Sequence, residues 1–147
     1  MDNGFDVLEF TPYLLAQASE AASRAFQPEY RDRYGMLRTE WRVLFHLGRL
    51  GPMDASGIGR RSGIHKTKIS RAVDALTAKR FVERAVSGED RRRQVLTLTD
   101  AGRRAYDDLA ARAAAFDAAL MAGLPEDERA ALKAALRRLG APASGTR

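Results

Sequence analysis

The stretch IHKTKISRAVDALTAKRFVERAVSGEDRRRQVLTLT, residues 64–99, changes its apolar period once, and that change decides the fold. Up to Lys79, the residues Ile69, Ala72, Val73 and Leu76 fall at i, i+3, i+4 and i+7, drawing one buried stripe along a helix. Lys66, Thr67, Ser70 and Arg71 are left facing outward near its start. From Phe81 the period becomes two. Residues 81–86 and 94–99 alternate as strands, joined by the polar connection Ser87-Gly88-Glu89-Asp90-Arg91-Arg92-Arg93. A helix followed by a β-hairpin with a basic end is expected.

Working outward, residues 7–33 read as a long helix, because Leu14, Leu15, Ala18, Ala22 and Phe26 recur at spacings of three and four. Pro12 is tolerated in an early turn, whereas Pro28 is expected to kink or end the last turns. Trp41, Leu44, Phe45 and Leu47 mark a second helix, with Thr39 as its cap and Gly48 and Gly51-Pro52 as its stop. Asp54 suits the N-cap of a third, weakened by Gly57 and Gly59 at about 1 kcal/mol each relative to Ala. Gly63 follows as a turn residue. Beyond the hairpin, the alanine-rich run Asp100–Met121, carrying Tyr106, Leu109, Ala113, Phe116 and Leu120 and capped by Thr99, predicts a second long helix. Leu124-Pro125-Glu126-Asp127-Glu128 opens a last one that runs to Leu139, with its acids set against the positive end of the dipole.

The order helix, helix, helix, helix, hairpin, long helix, helix predicts a mainly α fold with a small β-hairpin wing. This is a winged helix-turn-helix flanked by N- and C-terminal dimerisation helices. One domain is expected over residues 1–140, with a DNA-binding lobe at about 36–99, dimerisation helices at about 7–33 and 100–139, and a disordered tail at 141–147.

The charge is concentrated where the period changes. Residues 60–93 carry eleven Lys or Arg against the four acids Asp74, Glu83, Glu89 and Asp90, a local charge of +7 in a chain whose total is +6. The rest is close to neutral, so the basicity marks a partner rather than general solubility. Polyanions suit such a segment, because each phosphate neutralised releases condensed counterions. The absence of cysteine excludes disulfides, zinc-thiolate sites and thiol redox switches, and two histidines without a tight cluster give no metal site. No cofactor is expected. Without a signal-like N-terminus or a run of about 18 apolar residues, a soluble cytoplasmic protein is expected.

In a helix-turn-helix the second helix enters the major groove, so His65, Lys66, Thr67, Lys68, Ser70 and Arg71 are the candidate DNA contacts. Taken alone, these residues suit a solvated basic face equally well. The hairpin tips the balance. Arg91, Arg92 and Arg93 would reach a narrow minor groove whose negative potential attracts arginine, while Asp90 would pair with a neighbouring arginine and direct its fork. No nucleophile motif or Gly-rich phosphate loop appears, and Glu126-Asp127-Glu128 is explained by the helix dipole, so no enzyme is expected. The alternative is an architectural or RNA-binding winged-helix protein without an effector.

These residues resemble the MarR family of bacterial transcription regulators. The resemblance is carried by Glu40-Trp41-Arg42-Val43-Leu44, Gly51-Pro52-Met53, Ile69-Ser70-Arg71-Ala72-Val73-Asp74-Ala75-Leu76 and, above all, residues 90–102, DRRRQVLTLTDAG, which match a D-x-R wing followed by L-x-L-T-x-x-G. It extends from about residue 8 to residue 139. It implies that Asp90 and Arg92 are the D-x-R pair, with Arg92 in the minor groove, and that Ser70 and Arg71 lie on the recognition helix. His65 departs from the family's usual Ser or Asp cap, Leu37 from a usual Thr, and Gly57-Ile58-Gly59 from a sturdier run.

Leu14, Leu15, Ala18 and Phe26, with Leu109, Phe116, Leu120, Leu132, Leu136 and Leu139, offer more apolar surface than a small winged domain needs, and a partner would bury it. The resemblance likewise implies a homodimer on a palindromic operator of double-stranded DNA, with recognition helices about 34 Å apart. It also implies a repressor released by a small aromatic carboxylate or phenol. The expected crevice receives Tyr13, Gln17 and Arg24 from the first helix and Trp41, Phe45 and His46 from the second, an aromatic wall beside cations. Trp41 and Phe45 suit a core better than a pocket.

Overall fold

A computed structural model of the chain describes residues 3–86 and 93–141, which form six α-helices and one two-stranded antiparallel sheet. The contacts divide it into two compact units, Met1–Ala113 and Ala114–Arg147. No helix among the described residues is long and apolar enough to cross a membrane.

The first unit opens with a 3-10 turn, Val7–Glu9, capped by the Asp6 carboxylate, which accepts from the Leu8 N–H at 2.9 Å. Helix α1 then runs Thr11–Tyr34. Pro28 does not end it, contrary to the sequence expectation. An interior proline costs about 3 kcal/mol, but Phe26 and Tyr30 on either side of it are buried and lie 5.7 and 6.1 Å from the Trp41 ring. That burial holds the helix through the missing hydrogen bond.

Helix α2 spans Arg38–Leu50. Thr39 is not its cap. Leu37 holds that position, and the Glu40 carboxylate reaches back to accept from the Leu37 N–H at 3.1 Å. Gly48 does not stop the helix either. A side chain there would lie 2.4 Å from the Tyr106 ring, so the glycine makes room for helix α5, and Gly51 at φ +88 ends α2.

Helix α3 covers Ala55–Ser62, with Asp54 as N-cap through a 2.7 Å bond from the Gly57 N–H. Gly63, at φ +71, turns the chain in the left-handed region, where a side chain would clash with its own backbone. Helix α4 follows over Lys66–Ala78. Its stripe Ile69, Ala72, Val73 and Leu76 is buried, together with Val43, Leu44 and Leu47 of α2 and Ile58 of α3. Burying each large side chain of that kind stabilises by about 1.5–3 kcal/mol.

Strands β1, Val82–Val86, and β2, Gln94–Leu98, pair antiparallel with Val82 opposite Leu98, and Leu96 exchanges backbone bonds with Met53 at 2.9 and 3.3 Å. The hairpin is therefore tied to the segment just before α3. Helix α5, Asp100–Met121, begins under the expected Thr99 cap, whose hydroxyl accepts from the Gly102 N–H at 3.0 Å and donates to the Arg80 carbonyl at 2.6 Å. Of the residues assigned from sequence to a dimer stripe, Phe26 and Leu109 are buried within the chain, while Leu14 and Leu15 are exposed.

In the second unit, α6 runs Glu126–Gly140 from Pro125, and Lys133 pairs with Asp117 at 2.7 Å. Leu120, Leu132, Leu136 and Leu139 are exposed there. From residue 142 on, the tail expected to be disordered lies outside the described residues.

Gly102 is the tightest backbone contact, since a Cβ there would sit 1.9 Å from the Phe81 carbonyl oxygen. Gly102→Ala should therefore lower the free energy of unfolding by about 2–4 kcal/mol, whereas Gly140→Ala, facing open space, should change it by less than about 1 kcal/mol. Urea denaturation of the two variants checks both.

Candidate nucleic-acid interface

Burial of the α4 stripe forces the opposite face into solvent, and His65, Lys66, Thr67, Lys68, Ser70 and Arg71 are all exposed. The helix starts under an imidazole cap, with His65 Nδ1 accepting from the Thr67 N–H at 3.2 Å. In that arrangement the ring proton sits on Nε2.

The cations around this face fall into two groups. Lys79 donates to the buried Glu40 carboxylate at 2.9 Å, Arg84 pairs with Asp74, and Arg93 binds Asp54 at 3.0 Å. Lys66, Lys68 and Arg71 make no ion pair among the described residues. The outward half of α4 is thus a positive surface without an ion-pair partner among the described residues, while Lys79, Arg84 and Arg93 tie neighbouring elements together.

Arg93 is the one arginine of the basic hairpin end that is described, and its guanidinium turns back to α3. Asp54 accepts from both Gly57 and Arg93, and those bonds hold its carboxyl below the usual carboxylate range, the Gly57 N–H contributing most. The hairpin base and the start of α3 share this one carboxylate. Asp90, Arg91 and Arg92, on which the minor-groove expectation rests, lie outside the described residues.

A second group of side chains gathers between α1 and α2. The Trp41 and Phe45 rings meet edge to face at 5.1 Å, Phe45 stacks on His46 at 4.6 Å, and Tyr30 stacks on Trp41. Trp41, Phe45 and His46 are half-buried, serving packing and a partly open wall together. Near Tyr30 is a cleft of about 200 Å³ lined by Glu20, Ser23, Arg24, Gln27, Tyr30 and Arg38. Glu20 is shared by Arg24 at 2.9 Å and Arg38 at 3.7 Å, two cations on one carboxylate. Burial pushes the Tyr30 phenol above its ordinary pKa. Tyr13 and Gln17 lie earlier on α1; at 1.5 Å per residue, Tyr13 is about 20 Å along the axis from Phe26. Within one chain they do not line this cleft.

Sequence reasoning missed Asp54 as an anchor for Arg93, and Glu20, Ser23, Gln27 and Arg38 as lining residues. The spacing of Glu20, Ser23, Arg24 and Gln27 at i, i+3, i+4 and i+7 was a usable signal for one polar face.

Residues 34–93 match the model of the MarR family. The crystal structure of the MarR family transcriptional regulator SPO1453 from Silicibacter pomeroyi DSS-3 is 33% identical, with a TM-score of 0.79 over 92% of this chain and 96% of that one. BpsR of Bordetella bronchiseptica, whose DNA binding is regulated by 6-hydroxynicotinic acid, has a TM-score of 0.84 at 22% identity, over 94% of this chain and 98% of that one. The HTH-type transcriptional regulator YwaE of Bacillus subtilis strain 168 is 26% identical over 125 residues, 85% of this chain and 73% of that protein.

Since the Asp54 carboxyl is held below its unfolded value of about 3.9, its contribution to stability is complete above that value and is lost as pH falls through the lower folded value. Asp54→Asn keeps a capping oxygen but loses the charged partner of Arg93. It should cost up to about 1 kcal/mol at pH 7, and the gap from wild type should shrink below pH about 4. Urea titrations at several pH values read that convergence.

Proposed function

The chain belongs to the MarR family of transcription regulators, and we propose that it acts as a homodimeric, sequence-specific repressor on a palindromic operator, released by a small aromatic acid or phenol. The observation that carries the DNA-binding half is the exposed α4 face, where Lys66, Lys68 and Arg71 make no ion pair among the described residues, while Lys79, Arg84 and Arg93 are each held by an acid. Exposed like charges on one helix repel one another, and a polyphosphate backbone relieves that repulsion. Arg71 and Ser70 would read base edges, and Lys66, Thr67 and Lys68 would bind phosphate or base, with His65 capping the helix. Asp90, Arg91 and Arg92 supply the minor-groove contact, with Arg93 anchoring the hairpin base on Asp54.

Dimerisation is supported by the exposed leucines, Leu14 and Leu15 in the first unit and Leu132, Leu136 and Leu139 in the second. Two copies double the contact with DNA and match a two-fold operator. The ligand half rests on the cleft beside Tyr30, where Arg24 and Arg38 share one acid and leave room for a second carboxylate. The aromatic wall of Trp41, Phe45 and His46 suits a flat ring, and Tyr13 and Gln17 would come from the partner. BpsR, whose DNA binding is regulated by the aromatic acid 6-hydroxynicotinic acid, is a precedent in the same fold.

A mobility-shift titration against the duplex upstream of its own gene should lose about a thousandfold in affinity between 50 and 200 mM salt. In the same assay, Arg71→Ala and Arg92→Ala should each cost about 1–3 kcal/mol. Equal affinity for a random duplex, or for structured RNA, would instead favour an architectural or RNA-binding role. A thermal-shift screen of aromatic carboxylates should yield a compound that stabilises wild-type protein by about 2.7 kcal/mol at a hundred times its dissociation constant. Its effect should fall sharply in Arg24→Ala.

A further inference from the structure

We propose that Arg42 is a positioning residue of the reading head: its guanidinium holds the turn between α3 and α4, so that α2 sets the pose of α4 on DNA. The inference rests on the DNA-binding function above and extends it to a side chain that points into the protein.

Arg42 Nη2 donates to the Ser62 carbonyl at 2.9 Å. Ser62 is the last residue of α3, and its carbonyl is one of those a helix leaves without an internal partner. The rest of the turn is also bonded. The Gly63 N–H returns to the Gly59 carbonyl at 3.0 Å, and the Ser62 hydroxyl accepts from the Ile64 N–H at 3.1 Å. His65 then caps α4, which starts at Lys66. With so few residues between the held carbonyl and the first turn of α4, fixing one fixes the other.

The arrangement has a cost that packing alone does not explain. Arg42 is half-buried and makes no ion pair among the described residues, and both its burial and the nearby Arg38 disfavour its charge. Taking a cation from water for a single carbonyl is unfavourable unless the direction of that bond matters, although the negative end of the α3 dipole offsets part of the penalty. A methionine would fill the same length of α2 without that penalty. What it lacks is the donor.

Arg42 is also tied to the aromatic group through its backbone. Its own carbonyl bonds His46 Nδ1 at 2.6 Å, and the His46 ring stacks on Phe45, which meets Trp41 edge to face. A ligand that shifts Phe45 or His46 would act through that bond on the residue that holds the start of α4. That gives the cleft a physical route to the reading face.

The test compares wild type with Arg42→Met and Arg42→Lys in two measurements. Hydrogen exchange on the free protein should show amides of residues 62–67 exchanging about tenfold faster in Arg42→Met, with Lys, which keeps one donor, restoring part of the protection. Operator binding should weaken about tenfold in Arg42→Met while the slope of log affinity on log salt stays unchanged, because no phosphate contact is removed. Unaltered exchange overturns the proposal. So does a slope shallower by about one, which would make Arg42 a phosphate ligand. If Arg42→Met loses its helical circular dichroism, the exchange and slope of Arg42→Lys decide by the same criteria. Wild-type protein that binds random and upstream duplexes equally sinks the repressor function, and the exchange measurement still decides whether Arg42 holds the turn.

Discussion

The apolar stripe of α4, Ile69, Ala72, Val73 and Leu76, has one place to go, and the lobe is organised around putting it there. Val43, Leu44 and Leu47 of α2 and Ile58 of α3 are buried with it, and none of these large side chains exposes more than 1% of its surface. Because a helix has one face per stripe, this burial also decides where Lys66, Lys68, Ser70 and Arg71 point. Function is the complement of packing here: the residues that could read DNA are those the core rejects.

Around that interface, polar side chains define the ends of the helices. Glu40 is the clearest case, a buried carboxylate with both oxygens used. One accepts from the Leu37 N–H at the start of α2, the other from Lys79 just past the end of α4. A buried acid that lost either partner would cost several kcal/mol, so the two helices are registered together. Asp54 joins α3 to the hairpin base in the same way, and Thr99 joins the start of α5 to the Arg80 carbonyl.

Where one period dominated, the elements were legible from sequence. The α4 stripe, the alternation of β1 and β2, the Asp54 and Thr99 caps and the long α5 were read from residue spacing and cap chemistry. The errors share a cause. Pro28, Gly48 and Thr39 were weighed by the propensity of single residues, and each was overridden by a side-chain contact: the Trp41 ring beside Phe26 and Tyr30, the Tyr106 ring over Gly48, and the neighbouring Glu40 carboxylate that took the capping role. The site divides likewise. The basic face of α4 was visible because charge and period coincide, but the pairing of Arg93 with Asp54 joins positions 39 residues apart, which no spacing rule connects.

The separation of duties on α4 has a consequence for how such a protein can change. The exposed side chains Lys66, Thr67, Lys68, Ser70 and Arg71 contribute little to the frame, since the buried stripe and the Glu40–Lys79 pair hold the helix. Under the proposed function, substitutions among Lys66, Thr67, Lys68, Ser70 and Arg71 would alter which base pairs are favoured without disturbing the fold. Descendants of one ancestral scaffold could therefore diverge in the genes they control by drift at a handful of positions, while the scaffold itself stays under a separate and stricter constraint.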